Sequence, residues 1–316
     1  MQARLRSFHA LQVDRESVRL LLRHLDPEGV ESRRRGRLLR RRYINKGPNY
    51  LFHIDGWDKL KPFGLTVHGC IDGFSRRIMW LEASRSNNDP YQVCTYFCKL
   101  LLQMNGLPHI VRADRGNENV NIERIQRILR GNNEDDRSLS GTTFLYGRSV
   151  ANQRIESWWS NFPALGMDAW IQHMKTIEAH GILDCSSILH IELIRYIYLG
   201  LLRTELTKVK SEWNSHHIRT TRTAFAPSGK PDVMYHFPEA YDSSSYLKPV
   251  DLDAMEPLST LACHNIVDCI PLYKELFDSV VTEHELTTPT TLIQAAQNFA
   301  VIADVIEDEL DMIRVN

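Results

Sequence analysis

Residues 45–83 read NKGPNYLFHIDGWDKLKPFGLTVHGCIDGFSRRIMWLEA, and their pattern is the most informative about the fold. NKGPN is a turn signal, and YLFHIDGW alternates and is rich in β-forming residues, which predicts a strand ending near Asp55. FGLTVHGCID and RIMWLEA predict two further strands, and Asp72-Gly73 between them marks the bend of a hairpin. The stretch therefore predicts three antiparallel strands in succession.

Downstream of this stretch, helix and strand patterns alternate. A capping signal at residues 87–90 precedes YQVCTYFCKLLLQM, which predicts a helix over residues 90–105. HIVRAD is a short strand ending at Asp114, NVNIERIQRILRG is a helix, TTFLYG is a fifth strand, and NQRIESWWSNF opens another helix. The element order of this part is βββαβαβα.

The two ends of the chain carry different patterns. Residues 13–25 have helical spacing, and DPEGV after them predicts a turn. Residues 165–212 predict helices with an interruption near 181–187, and PLYKELFDSVV and TLIQAAQNFAVIADVIEDEL predict two amphipathic helices. The stretch 228–257 is rich in Pro, Ser and Asp, which predicts a linker. We predict three parts: a basic N-terminal helix and linker over 1–47, an α/β core over 48–231, and an acidic linker with a helical C-terminal region over 232–316.

Composition places the 316-residue chain among intracellular globular proteins. Hydrophobic residues make up 43% of it, and no apolar run approaches the roughly 18 residues of a membrane span. The first residues lack the apolar stretch of a signal peptide. Six cysteines are scattered without the spacing of a disulfide scaffold or a zinc site, so we expect reduced thiols and no structural zinc.

Three carboxylates fall at positions that favour metal binding. Asp55 ends the first predicted strand, Asp114 ends the fourth, and Glu156 lies in the first turns of the helix after the fifth. Phosphoryl transfer to or from a nucleic-acid strand uses hard divalent cations, which carboxylates hold better than imidazole or thiolate. One aspartate at a strand end is more often a turn residue or a helix cap, so the coincidence of all three indicates the site.

Short motifs around these acids give the core a family resemblance. FHIDGW surrounds the first carboxylate, IDGFSR forms the hairpin, RADRGNEN surrounds the second carboxylate, and NQRIESWW carries the glutamate. Together with EWNSHHIR and PSGKP, they make residues 48–231 resemble the integrase core of retroviral integrases and DDE transposases. The family's aspartate-asparagine-glycine becomes Asp114-Arg115-Gly116 here, and Asn119 replaces a common aromatic residue.

The resemblance implies an RNase H-like α/β fold, in which helices flank a five-stranded mixed sheet and an additional helical part follows. It implies that Asp55 and Asp114 bridge two Mg²⁺ or Mn²⁺ ions, and that Glu156 binds one of them and orients the attacking water or 3′-hydroxyl. Gly116 would keep the turn after Asp114 open. The implied activity is a DDE-type polynucleotidyl transfer on DNA, carried out by a homo-oligomer.

Charge is distributed unevenly along the chain, although the net charge is −1. Residues 1–50 carry 13 Lys or Arg against five Asp or Glu, whereas residues 232–316 carry three against 16. The seven arginines within residues 33–42 fit a solvated linker or localisation signal as well as a DNA-backbone contact. The acidic end is repelled by DNA, which favours a protein partner for it. Arginines predicted to contact nucleic acid are Arg34, Arg35, Arg41, Arg154 and Arg219.

Other acids and two tryptophans compete for roles at this site. We expect Asp72 to stabilise its turn and Asp58 to be exposed, whereas Glu118 is a further candidate for contact with metal or substrate. Trp158 and Trp159 suit either the core or a stack on an unpaired base. Since adjacent residues cannot share one helix face, we expect one of them buried and the other near the surface.

Two functions of different classes fit the sequence. The first is an active integrase-type strand transferase or nuclease acting on DNA in the nucleus. The second is a host-retained, catalytically silent relative that serves as a DNA-binding or protein-interaction scaffold. The intact triad favours chemistry, because clustered carboxylates repel one another when no metal is bound. The lack of a His-His-Cys-Cys zinc module before the core favours the scaffold. A nuclease acting on RNA–DNA hybrids is a third interpretation, which DGFSR and WNSHHIR disfavour.

Overall fold

A computed structural model of the chain describes residues 12–35, 43, 45–131, 143–148, 151–220, 227–250, 252–263 and 267–315. Its internal contacts divide the chain into two units, Met1–Tyr43 and Ile44–Asn316. Among the helices described, none combines the length and the apolar character that crossing a membrane requires. The predicted domain boundaries at 47 and 231 stay predictions.

The described part of the first unit, residues 12–35 and 43, holds two helices. Helix α1 (Arg15–Leu25) follows Asp14, whose carboxylate caps two backbone N–H groups of the first turn. Helix α2 (Pro27–Arg35) begins directly after Asp26, whose carboxylate accepts the backbone N–H of Gly29 at 2.8 Å. The turn predicted at DPEGV is therefore wrong, because this aspartate and the following proline are a cap and a first residue that start a helix.

The second unit is built on a five-stranded mixed sheet. The strands of this unit are β1 (Leu51–Trp57), β2 (Thr66–Asp72), β3 (Ile78–Ser84), β4 (Gly106–Leu107), β5 (Ile110–Asp114), β6 (Phe144–Gly147) and β7 (Lys248–Pro249). Their order in the five-stranded sheet is β3-β2-β1-β5-β6. Neighbours β1–β2 and β2–β3 are antiparallel, whereas β1–β5 and β5–β6 are parallel. The five-stranded, RNase H-like sheet predicted from the sequence is confirmed. A short pair, β4–β7, lies outside it.

Helices flank the sheet as predicted, and their bounds lie close to those expected from the sequence. The helix predicted over 90–105 spans 90–104, and the interruption expected near 181–187 separates two long helices. The helices of this unit are α3 (Pro90–Met104), α4 (Val120–Gly131), α5 (Gln153–Trp159), α6 (Met167–Ala179), α7 (Ile188–Ser215), α8 (Pro231–His236), α9 (Leu252–Ala262), α10 (Pro271–Glu283) and α11 (Leu292–Val315).

The sheet separates two hydrophobic cores. Phe52 and Ile54 of β1 pack with side chains of α3, α4 and α9 on one side. Trp57 packs on the other side with side chains of α5, α6, α7, α10 and α11. Because successive side chains of a strand point to opposite faces, His53 and Asp55 share the face of Trp57. This alternation presents Asp55 to the helix that carries Glu156.

The stretch 228–257 is not the bare linker that its composition predicted. It contains α8, strand β7 paired with β4, and the first half of α9, which packs on α3. Met234 of α8 and Leu258 of α9 are buried. A few apolar anchors therefore hold a segment whose polar average suggested a linker. The two amphipathic helices predicted beyond it are present as α10 and α11, and Phe277 and Phe299 from them lie fully buried in the core.

Candidate active site

Asp55 lies inside β1, two residues before the strand ends, rather than at its end as predicted. Its partner across the antiparallel ladder is Gly69 of β2. The Asp55 carboxylate is half-buried, and its Oδ2 accepts a hydrogen bond from Nε1 of Trp159 at 3.1 Å. The first acid of the triad is thus tied to the helix that carries the third.

Asp114 is the last residue of β5, the parallel neighbour of β1. In the pairing of β1 with β5, His53 lies opposite Arg112. Two residues further along both strands, the same register places Asp55 beside Asp114. Both side chains point to one face of the sheet, because residues in register on parallel strands point the same way. The sheet topology therefore brings together two acids that lie far apart in the chain.

Glu156 reaches the site through α5, whose start is fixed to β1 by Asn152. The Asn152 side chain is buried, and its Nδ2 donates to the carbonyl oxygen of Ile54 at 2.8 Å. Its Oδ1 lies 2.7 Å from Nδ1 of His53, and this nitrogen donates because an amide oxygen can only accept. Burial lowers the pKa of His53 to about 3, so the ring is neutral. Glu156 follows one helical turn later and is half-buried.

The three carboxylates interact electrostatically. Burial raises the pKa of Asp55 to about 8, and the charges of Asp114 and Glu156 add to the rise. The pKa of Glu156 is also raised, by burial and then by the charge of Asp114. A carboxylate whose pKa is raised by the charge of another acid lies close enough to be repelled by it when no cation is present. The structure therefore brings all three predicted residues to one region.

The side chains of Asp55, Asp114 and Glu156 do not form a preorganised metal-binding site. Within the residues that the structure describes, no group of three His, Cys, Asp or Glu residues stands ready to hold a metal ion. The chemistry of the donor set nevertheless fits a hard divalent cation, since all three groups are carboxylates. The raised pKa of Asp55 fits as well, because a cation would offset the repulsion that causes part of it.

Glu118 is a fourth acid at this end of the sheet. Burial raises its pKa, and the charge of Asp114 contributes. A Cβ on Gly116 would lie 1.9 Å from Oε1 of Glu118, whereas the φ of −115° at Gly116 suits any residue. Gly116 therefore makes room for the Glu118 carboxylate, which also accepts a hydrogen bond from Nδ2 of buried Asn119 at 2.8 Å.

Two other acids behave as the sequence predicts. Asp72 is fully buried at the hairpin, where it accepts the backbone N–H groups of Asn49 at 2.9 Å and Ser75 at 2.7 Å. Asp58 is exposed and forms an ion pair with Lys61 at 2.9 Å. Asp72 is thus confirmed as a turn residue.

The expectation for the two tryptophans was wrong, because both are buried. Trp158 is 2% exposed and Trp159 is 7% exposed. Helix α5 is short and is surrounded by other elements of the core. Tryptophans on two different faces of this helix therefore both pack against apolar side chains. Trp158 packs against Trp213 of α7, and Trp159 packs against Trp57 of β1.

The arginines predicted to contact nucleic acid fall in different places. Arg41 lies outside the described residues, as do the side chains of Arg34 and Arg35. Arg154 is half-buried, and its Nε donates to the carbonyl oxygen of Gly73 at 3.0 Å, so it braces the hairpin turn. Arg219 is exposed.

Several residues near the triad carry no signal in the sequence that would identify their roles. Asn152 and Gly69 belong to no predicted function, and the hydrogen bond from Trp159 to Asp55 was not predicted. Arg115 and Arg148 are exposed and directly follow β5 and β6, at the strand end where Asp114 lies. A motif that contains a residue does not reveal its hydrogen-bond partner, so only the pairing of distant segments could identify these roles.

Comparison with known proteins agrees with the geometry. A family model described as "Integrase core domain" matches residues 43–228, which is more than half of the chain. The matched range contains the whole five-stranded sheet and the helix that carries Glu156. A search of curated proteins found no match to the chain.

Proposed function

The chain belongs to the integrase core domain family, and on this premise we propose that it cuts and joins DNA strands by metal-dependent phosphoryl transfer. Proteins of this family generally use divalent metals, and the family suggests binding to DNA. The proposal assigns the reaction to the region where Asp55, Asp114 and Glu156 meet.

One observation carries the proposal. Burial and the charges of two neighbouring acids raise the pKa of Asp55 to about 8. A carboxylate with so displaced a pKa is costly to the folded protein, and such displacements are concentrated at functional sites. A bound cation would relieve the repulsion between these carboxylates. The free energy released by that relief would add to the affinity of the site for the cation.

Asp55, Asp114 and Glu156 would hold Mg²⁺ or Mn²⁺ through their carboxylate oxygens. When bound, such a cation polarises a phosphodiester oxygen and lowers the pKa of the attacking water or hydroxyl. The chain itself holds the acids in place. Asn152 fastens the start of the helix that carries Glu156 to β1, and Asp55 is fixed by its hydrogen bond.

Exposed arginines offer contacts for the DNA backbone. Arg115 and Arg148 flank the strand ends beside Asp114, and Arg219 is exposed in the segment after α7. Guanidinium groups bind phosphate oxygens and position a strand without reading its sequence. Arg154 serves this purpose less well, because its Nε is engaged by the hairpin.

The test uses purified full-length protein, end-labelled double-stranded DNA, and Mn²⁺ or Mg²⁺. We expect nicked or joined products with wild type and none above background with Asp114→Asn. Asp89→Asn is the matched control, since Asp89 is an exposed helix cap outside the site and asparagine caps equally well. Its products should equal those of wild type.

A catalytically silent scaffold is the competing function. The lack of a ready metal cage among the described residues is the observation that favours it. If the protein is a scaffold, wild type and Asp114→Asn should bind DNA with equal affinity, and neither should form a cleaved or joined product. That result in both metals would overturn the enzymatic proposal.

We also propose that the protein acts in the nucleus as a homo-oligomer, with a protein partner for its acidic C-terminal region. Imaging of a tagged chain tests the location. Sedimentation with and without DNA tests the assembly state, and a single monomeric species under both conditions would contradict it.

A further inference from the structure

The indole of Trp159 is hydrogen-bonded to the first acid of the site. From this contact we infer that Trp159 is a positioning residue, which holds the Asp55 carboxylate in one orientation for the cation, and that Gly69 provides the space for it. The inference rests on the proposed function, since it concerns the metal-binding role of Asp55.

The hydrogen bond from Trp159 is accepted by one of the two carboxylate oxygens of Asp55. Nε1 of Trp159 donates to Oδ2 of Asp55 at 3.1 Å, and an indole N–H is a donor only. Oδ2 is thereby held toward α5, and rotation of the carboxylate is restricted. Carboxylates that bind metals are in general held by such hydrogen bonds, which orient them before the cation arrives.

The indole is itself held by aromatic neighbours. Trp159 is 7% exposed, and its ring centroid lies 5.1 Å from that of Phe162, 4.8 Å from that of Trp158 and 6.5 Å from that of Trp57. A donor packed on several sides cannot follow a moving acceptor. The N–H therefore sets the position of the carboxylate, rather than the reverse.

Gly69 allows the indole to reach this position. It faces Asp55 across the β1–β2 ladder, so its missing side chain would point to the same side of the sheet. A Cβ at Gly69 would lie 3.0 Å from Cη2 and 3.1 Å from Cζ2 of Trp159. Those contacts are tighter than ordinary van der Waals distance, so an alanine would push the ring and its N–H away.

Trp158 supplies a matched comparison in the same helix. It is buried as well, but its Nε1 has no hydrogen-bond partner among the described residues. Replacement of either tryptophan by phenylalanine removes a similar volume from the core. Only Trp159→Phe also removes a donor to Asp55, so a difference between the two variants reports that bond.

The experiment measures Mn²⁺ binding to the metal-free full-length protein by calorimetry, with urea denaturation of each variant alongside. Trp159→Phe should bind Mn²⁺ roughly 10-fold more weakly than wild type or worse, as loss of an orienting partner typically causes. Trp158→Phe should bind as wild type does. Gly69→Ala should also weaken binding, whereas Gly200→Ala, where a Cβ meets nothing within 4 Å, should leave it unchanged.

A second replacement protects the test against misfolding. Benzothienylalanine at position 159 keeps the bicyclic shape and lacks the N–H, so it should weaken Mn²⁺ binding as phenylalanine does while the fold stays intact. Equal affinities for this protein and wild type would overturn the inference alone. Absence of Mn²⁺ binding by wild type would overturn the proposed function and this inference together.

Discussion

Asp55→Asn should make the metal-free protein more stable at neutral pH, although it removes a proposed metal ligand. The pKa of Asp55 is raised from 3.8 to about 8 by burial and by the charges of Asp114 and Glu156. An acid with a raised pKa in the folded state costs stability as pH rises from its unfolded pKa to its folded one. Asparagine is neutral throughout and still accepts the indole N–H.

The magnitude follows from this displacement. The loss of stability at pH 7 depends on the difference between that pH and the unfolded-state pKa of 3.8. At about 1.36 kcal/mol for each pH unit, this difference corresponds to about 4 kcal/mol. Rotation of the carboxylates and entry of water relieve part of it, so we expect a gain of about 1–4 kcal/mol for Asp55→Asn. The gain should vanish near pH 4, grow up to about pH 8 and stay constant above that.

The assay is urea denaturation in EDTA from pH 5 to pH 9. Asp89→Asn is the control, and its difference from wild type should not grow with pH. In separate samples without EDTA, Mg²⁺ at about 100 times its Kd should stabilise wild type by about 2.7 kcal/mol and leave Asp55→Asn unaffected. If Asp55→Asn is less stable than wild type at pH 8, or if the difference in their free energies of unfolding does not change with pH, the prediction is wrong and Asp55 has a structural role.

Three further perturbations probe other parts of the molecule. Asp72→Ala should destabilise the protein by about 3 kcal/mol in urea denaturation, because the N–H groups of Asn49 and Ser75 lose a buried acceptor, while the Mg²⁺ response is retained; a destabilisation below about 1 kcal/mol would contradict this. Truncation before Pro271 removes core residues such as Phe277, so the shortened chain should lose its cooperative unfolding transition, and a sharp transition would show that the helices are dispensable. Neutralising three basic residues should flatten the dependence of DNA affinity on salt by up to about 0.9 logarithmic units for each phosphate that they bind, and an unchanged slope would assign the basic run to targeting or linker duty; the residues are Arg34, Arg35 and Arg41.

Local pattern was sufficient for most elements of the core. The alternation in YLFHIDGW and the helical period of YQVCTYFCKLLLQM each match one element of the structure within two residues. It failed where a few contacts outweighed average composition. Asp26 starts a helix where a turn was predicted, and Met234 and Leu258 anchor a stretch whose composition is typical of a linker.

The three acids could be selected without a structure, because strand and helix periods place Asp55, Asp114 and Glu156 on identifiable elements in the order typical of the family. Their surroundings became known from the three-dimensional arrangement alone. The parallel pairing of β1 with β5 sets Asp114 near Asp55, and the enclosure of α5 buries both tryptophans and aims the Trp159 N–H at Asp55. This limit arises because the periodicity of a sequence shows only which face of an element is buried. The partner against which that face is buried depends on contacts between segments that are distant in the chain.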